Sequence, residues 1–454
     1  MLRALPALFD QLATHNHVPG AQFTLYHDGR LLELVAGVEH IHRRTPVTSR
    51  SRFALGSVSK VITAAAVMQL LEDGDVDLDA PVARFLPRAL AGHATAGAIT
   101  LRQLLSHTSG LVADHIDGAE TPDSSLRKQA ASVLAEDLVS RPGSTFSYSN
   151  SGYSLVGYVI EAVAGRSWWD TMQSYLFDPC DLDLAFIGDP RDGAQQASVV
   201  TGHAVDSSSG AAIPVDFYCE HTMAPAGGLA ASASTLVSFA RSFMVSSDRR
   251  ADEPVADIKT LKHMWSPVPG ASPFGLADGW GAGWALYRRD DRVWAGHDGT
   301  LDGGTCHMRL DPSGGTALAL TTNSTTGLMM WSQLVDALDS LGLHVGSYRM
   351  PDLAARPGPA PAGLDISGHY TNGDLAITVL PVQGEGYRMN MPNGLHGTIA
   401  LCDDLRFSVQ VGKLGNMNFM GRFDTDPDDG STIGALEYNG RRLRRTSGLS
   451  SAHV

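Results

Sequence analysis

Residues 280–322 read WGAGWALYRRDDRVWAGHDGTLDGGTCHMRLDPSGGTALALTT. Four strand-like runs alternate here with the breakers Arg289-Asp290-Asp291, segment 301–304 and Pro312-Ser313-Gly314-Gly315. Short β-prone runs punctuated this closely predict an antiparallel meander. A helix is expected next, over 327–341. Earlier in the chain, apolar runs at 22–26 and 31–38 flank Asp28-Gly29, a strong hairpin signal. Before them Leu2, Leu5, Leu8 and Leu12 recur at helical spacing. Two end helices thus flank one antiparallel sheet. The long stretch between the early and late strands must form a lobe of its own, and it reads as helical. Residues 58–71 are apolar nearly all round, hence buried, and stop at Asp73-Gly74. Residues 151–164 set Leu155, Val156, Val159, Ile160 and Val163 on one face, with Gly165 just beyond the end. The class predicted is α+β: an antiparallel sheet flanked by helices, carrying an all-helical lobe.

The chain is expected to divide once more. Residues 356–363, RPGPAPAG, are a stiff uncharged spacer. Beyond it, 364–443 shows short alternating runs, frequent Gly and Asn-Gly turns, and no helical period. That pattern predicts a small antiparallel β-barrel. The expected organisation is a body over 1–350, a linker over 351–363 and a barrel domain over 364–454.

Composition excludes several classes. Of 454 residues 43% are apolar and 18% charged, an ordinary globular mix rather than a disordered or fibrous one. A net charge of −14 argues against nucleic-acid and polybasic membrane-surface binding. Four dispersed cysteines, with no CxxC pair, point to free thiols rather than a disulfide frame or zinc site. Neither a signal peptide nor a run of about 18 apolar residues is recognised, so the expectation is a cytoplasmic enzyme without a membrane anchor. No metal or other cofactor is called for.

The chemistry centres on Ser57-Val58-Ser59-Lys60. Ser57 opens the buried helix, and Lys60, one turn later, projects from the same face. A helix start favours negative charge developing on the hydroxyl, and an apolar setting depresses an ammonium towards base function. Ser125-Leu126-Arg127-Lys128 matches the same pattern, but in a polar segment that reads as a solvated surface helix. Alone, a loop tyrosine or asparagine is usually a turn former, and a strand-end histidine is usually structural. Order changes that reading. Tyr148-Ser149-Asn150 follows in a loop just before a helix, and Gly296-His297-Asp298-Gly299-Thr300 ends a late strand.

This ordered set resembles the penicillin-recognising serine hydrolases, in their class C β-lactamase, D-aminopeptidase and esterase branch. The string Leu104-Leu105-Ser106-His107-Thr108-Ser109-Gly110-Leu111 resembles it too. Here His107 is assigned a hydrogen-bonding role, and Ser106 and Ser109 are read as caps and turn residues. Many members carry Lys-Thr-Gly where this chain has His297-Asp298-Gly299. That lysine usually holds a penicillin carboxylate, so efficient β-lactamase activity is not expected. The resemblance implies that Ser57 is acylated while Lys60 and Tyr148 share the proton work. It implies an oxyanion hole made by the backbone N–H groups of Ser57 and Thr300, and Asn150 contacting the acyl portion. His297 is expected to hydrogen-bond near Tyr148 or to orient the leaving or attacking group.

Longer strings are similar to one subgroup, the stand-alone penicillin-binding-protein-type thioesterases that release and cyclise nonribosomal peptides. They include 273–281, 318–325, Ser167-Trp168-Trp169, and Tyr370-Thr371-Asn372-Gly373-Asp374-Leu375 within a lipocalin-like C-terminal barrel. The resemblance implies a linear peptidyl thioester substrate with a D-configured C-terminal residue. It also implies head-to-tail macrolactam formation and a peptidyl carrier protein as partner. The alternatives are an esterase or D-aminopeptidase acting on small esters and amides, and a catalytically silent scaffold, which would have no need of a buried lysine. The basic run Gly440-Arg441-Arg442-Leu443-Arg444-Arg445 has three readings. It is a solvated tail, a contact for an acidic carrier, or the source of Arg441 as a substrate-binding side chain in the cleft.

Overall fold

The computed structural model describes residues 3–115, 124–187, 199–216, 219–244, 255–349, 364–382, 386–411, 417–426 and 429–447. Leu2 and the expected linker lie outside them. The central sheet has seven antiparallel strands, ordered Arg30–Gly37, Gly20–His27, Thr316–Thr322, Gly304–Asp311, Arg292–Leu301, Ala285–Arg289 and Gly279–Trp280. Asp28 and Gly29 both adopt positive φ, 51° and 71°, the twist that joins two strands through a tight turn. Period-two alternation then divides the core. On the Thr316–Thr322 strand, Leu318 and Leu320 pack with Phe9, Trp331 and Leu334 of the helices Leu5–His15 and Gly327–Ser340. Ala317 and Ala319 face the opposite side, against the large helical core.

That second core surrounds the helix Ser59–Glu72, in which every residue from Ser59 to Met68 is buried, Lys60 included. The helix Asn150–Ala164 begins at a Ser149 cap that accepts from the Gly152 N–H, and it ends at Gly165 with φ 69°. The lobe also contains a three-stranded sheet, Phe53–Ala54, Leu229–Ala231 and Leu184–Phe186, and the hairpin Gly202–Val205/Ala212–Val215. Among the described residues no helix is long and apolar enough to cross a membrane.

The C-terminal unit is a closed eight-stranded antiparallel barrel, in which Gly368–Asn372 pairs with Arg441–Ser447 to complete the ring. Closure removes the edges that short exposed strands would otherwise present. Its interior is filled by side chains including Ile377, Val379, Phe407, Phe423 and Leu436. Inside the barrel, the Tyr370 hydroxyl donates to the Ile366 carbonyl at 2.7 Å.

Two features of the sheet position the chemistry. First, Arg292–Leu301 pairs with Ala285–Arg289 only through Arg292–Gly296, so 297–301 has one edge free of a strand partner. Second, that segment is pinned through the Asp298 side chain. Asp298 receives both Arg309 guanidinium arms, at 2.7 and 3.0 Å, together with His307 Nδ1 at 2.8 Å. Burial alone would raise the Asp298 carboxyl, but the Arg309 charge and His307 outweigh it and hold it well below the usual carboxylate range. Arg309 is 1% exposed and lies 4.0 Å over the Tyr287 ring. Replacing Asp298 by Ala strands that buried cation. Urea unfolding should register a loss of about 3 kcal/mol, and restoration is expected when Arg309→Met is added.

Candidate active site

Ser57 is placed by a close approach of two backbones. It occupies a 3-10 turn, Gly56–Val58, immediately ahead of the helix Ser59–Glu72, rather than the helix proper. The turn abuts the free edge of 297–301. A Cβ on Gly299 would lie 2.0 Å from the Leu55 carbonyl oxygen, and one on Gly56, which has φ 50°, would lie 2.5 Å from the Thr300 oxygen. Only glycines permit this contact. It brings the Ser57 and Thr300 backbones side by side, the arrangement needed for a two-donor oxyanion hole.

Lys60 is fully buried and its Nζ donates to Ser57 Oγ at 3.1 Å and to the Ala226 carbonyl at 2.7 Å. Burial pulls the ammonium down to about 7, and the Arg441 charge acts in the same direction while Asp114 opposes it. At neutral pH a large fraction is therefore the free amine, a base already in contact with the nucleophile. Tyr148 lies beside this pair, its ring 5.0 Å from Lys60 Nζ and stacked on His107 at 4.2 Å. Burial pushes the phenol up, against the opposing influence of Ser57, so Tyr148 stays protonated. Its Oη is buried and makes no hydrogen bond of good geometry among the described residues.

His297 is held by a 2.7 Å bond from Nδ1 to the Asp298 carbonyl oxygen. A carbonyl only accepts, so Nδ1 carries the proton and Nε2 presents a lone pair. Burial, then the Lys60 charge, depresses the ring to about 3, so it is neutral throughout the working range. Nε2 is buried without a partner among the described residues. The ring lies 6.3 Å from that of Tyr148 and 5.3 Å from that of Trp280.

Asn150 is less available than the sequence reading expects. Its Nδ2 donates to Asp114 Oδ1 at 2.6 Å, leaving a single amide hydrogen for an acyl group. Asp114 itself escaped that reading, since a lone carboxylate in a loop carries no pattern. It also pairs with Arg441 at 3.6 Å. Arg441 comes from the barrel, and its guanidinium lies 5.3 Å from the centre of the Tyr148 ring. The arginines of the basic run have separate partners. Arg441 enters the cleft, Arg442 pairs with Asp424 and Glu437, and Arg445 pairs with Asp365 and the Ser367 carbonyl. His107, as assigned, is structural: its Nδ1 accepts from the Ser149 N–H at 3.1 Å.

Ser57, Tyr148, His297, Thr300 and Arg441 line one cavity of about 630 Å³, whereas Lys60 and Asn150 are not in its lining. It runs from Ser57 past Trp280 to Trp331 and Val335 on the far helix, under a roof that includes Phe419 and Arg441 of the barrel. That volume suits a substrate much larger than the reacting bond. Among the described residues no group of His, Cys, Asp and Glu side chains is arranged to hold a metal ion.

Comparison with known proteins covers both parts of the molecule. The Beta-lactamase family pattern matches residues 5–339. Penicillin-binding protein 4 of Amycolatopsis lactamdurans is 33% identical over 365 residues, 79% of this chain and 94% of that protein. The crystal structure of SurE superposes with a TM-score of 0.86 at 38% identity, covering 98% of each chain. SurE with D-Leu gives 0.83 at 37% identity, covering 98% of this chain and 99% of that one.

Two outcomes follow from the geometry. For a small acyl donor, log kcat/KM should climb with unit slope below about pH 7 and level off above it, as Lys60 loses its proton. Neither His297 nor Tyr148 should contribute a limb between pH 5 and 9, and a flat profile there would remove Lys60 as the base. Gly299→Ala should drive the strand from the Ser57 turn and reduce acylation of Ser57 by at least about 100-fold, read by intact-protein mass spectrometry.

Proposed function

This chain belongs to the beta-lactamase family, and is accordingly a serine hydrolase and acyltransferase of the penicillin-binding-protein type; on that premise we propose that it releases a linear nonribosomal peptide from a carrier-protein thioester and closes it head to tail. The observation that carries this reading is the barrel-roofed cavity. Ser57 and Tyr148 line it, Lys60 contacts Ser57, and the barrel's Arg441 lines it too, beside the Tyr148 ring. Similarity to SurE through the barrel as well as the body supports it. The SurE structure with D-Leu supports a D-configured residue at the acylating end.

In the first half-reaction, Lys60 Nζ takes the Ser57 proton as Oγ attacks the thioester carbonyl. The tetrahedral oxyanion is held by the Ser57 and Thr300 N–H groups. Collapse expels the carrier thiolate, which receives the proton stored on Lys60, leaving acyl-Ser57. In the second half-reaction the peptide's own amine attacks this ester. Its proton leaves towards Lys60 through Tyr148, a phenol that gives up its hydrogen as it receives another. Collapse returns Ser57 Oγ as the leaving group, which is reprotonated. His297 Nε2, an acceptor only, is suited to orienting the amine N–H.

Water at about 55 M competes for the ester, so the amine must be delivered. A chain folded within the cavity can reach effective molarities of about 10⁵ M, and a roof limits entry of water. The reading calls for a cytoplasmic enzyme whose partner is a peptidyl carrier protein, with no nucleic acid or membrane involved.

The deciding assay uses linear peptidyl thioesters that differ only in C-terminal chirality. Ring product is expected from the D form, with a mass shift of one acyl group on wild-type enzyme and none on Ser57→Ala. Free acid from both forms, or turnover confined to short esters, would replace this reading with the esterase or D-aminopeptidase one.

A further inference from the structure

One of the contacts between barrel and body is the turn Asn372-Gly373-Asp374, and at its centre is a buried amide. Asn372 is 1% exposed. Its Oδ1 accepts from the Ala113 N–H at 2.6 Å, and its Nδ2 donates to the Arg442 carbonyl at 2.8 Å and to Ser147 Oγ at 3.2 Å. One side chain thus spends its acceptor and its donors on three separate segments. The next residues tighten the same joint. Gly373, at φ 59°, passes so close to Asp114 that a Cβ would lie 2.3 Å from its carbonyl oxygen, and the Asp374 N–H donates to that oxygen at 3.0 Å.

What the amide grips matters for the chemistry. Ser147 immediately precedes Tyr148, and Arg442 immediately follows Arg441. The Ser147 hydroxyl also accepts from the Arg442 N–H at 3.3 Å, and the Tyr148 N–H donates to the Gly440 carbonyl at 2.8 Å. Ala113, the third segment gripped, accepts through its carbonyl from the Asn150 N–H at 2.8 Å. The Tyr148 hydroxyl interacts with Ser57, while its ring is stacked on His107 and its backbone is held by the Gly440 carbonyl. The direction in which the phenol meets Ser57 therefore depends on this backbone grip.

We infer that Asn372 is a positioning residue for acyl transfer, setting Tyr148 and Arg441 relative to each other and to Ser57. The barrel is then a working part of the catalytic centre rather than a separate roof. This rests on the acyl-Ser57 reading above. The role needs a neutral amide. A carboxylate at 372 would turn an oxygen towards the Arg442 carbonyl, and an apolar residue would leave the Ala113 N–H unpaired.

The test uses the full-length protein and a small p-nitrophenyl ester, so that peptide cyclisation plays no part. Stopped-flow acylation should slow by roughly 10- to 100-fold in Asn372→Ala and in the near-isosteric Asn372→Asp, because sub-ångström placement carries that much rate. KM should stay within about twofold. Phe423→Leu, in the barrel core and making none of the Asn372 hydrogen bonds, serves as the stability control. It should lower Tm at least as far as Asn372→Ala does and leave the acylation rate at the wild-type value. Wild-type acylation rates in both Asn372 variants, or rate losses in Phe423→Leu that track Tm, would overturn the inference. Absence of any acyl-enzyme in the wild type would instead overturn the reading on which it rests.

Discussion

A lysine with no exposed surface, one helical turn from a serine, is the constraint around which the molecule is organised. Burying an ammonium is costly, and the group responds by surrendering its proton near neutral pH. That response requires a helix that is apolar on all sides, a sheet and a lobe to enclose it, and a carbonyl to receive the remaining hydrogens. Ala226 supplies the carbonyl. The large core and the reactive centre are therefore one construction: the packing that stabilises the body also makes the base.

The second requirement is a place for negative charge. Thr300 comes from a strand and Ser57 from a turn, and nothing but contact between their backbones brings their N–H groups together. Gly56 and Gly299 remove the side chains that would hold them apart. The Asp298–Arg309 pair fixes the strand beside the cleft, through Arg309 bonds to the Gly346 and Met308 carbonyls as well as to Asp298. Rigidity of this pair is thus converted into placement of the strand edge, where an oxyanion hole tolerates little error.

Much of this was legible in the chain. The meander, the hairpin at Asp28-Gly29, the helix ending at Gly165 and the closed barrel all follow from local periodicity and turn chemistry, which act within a few residues. Ser57 and Lys60 were legible for the same reason: one helical turn separates them. Asp114, the Arg309 staple and the grip of Asn372 were not, because each joins segments far apart in the chain and no spacing encodes them. The 3-10 turn that carries Ser57 belongs with these, since it is set by Thr300, more than two hundred residues away. Arg441 was visible as part of a basic run, but only the barrel's closing strand decides which arginine of the run faces the cleft.

The electrostatics of the cleft depart from the Lys-Thr-Gly pattern in a coherent way. A lysine at 297 would set a second ammonium beside Lys60, whereas His297 is neutral and offers a lone pair. Positive charge has not vanished from the site; it enters from the barrel as Arg441, beside the Tyr148 ring. There it is paired with Asp114, whose charge acts on Lys60 in the opposite direction to that of Arg441. A cation can therefore face the cleft without driving Lys60 much further down. Moving that charge from strand to barrel frees the strand edge to receive an uncharged acyl chain. It also makes the position of that charge depend on how the barrel is seated against the Tyr148 loop.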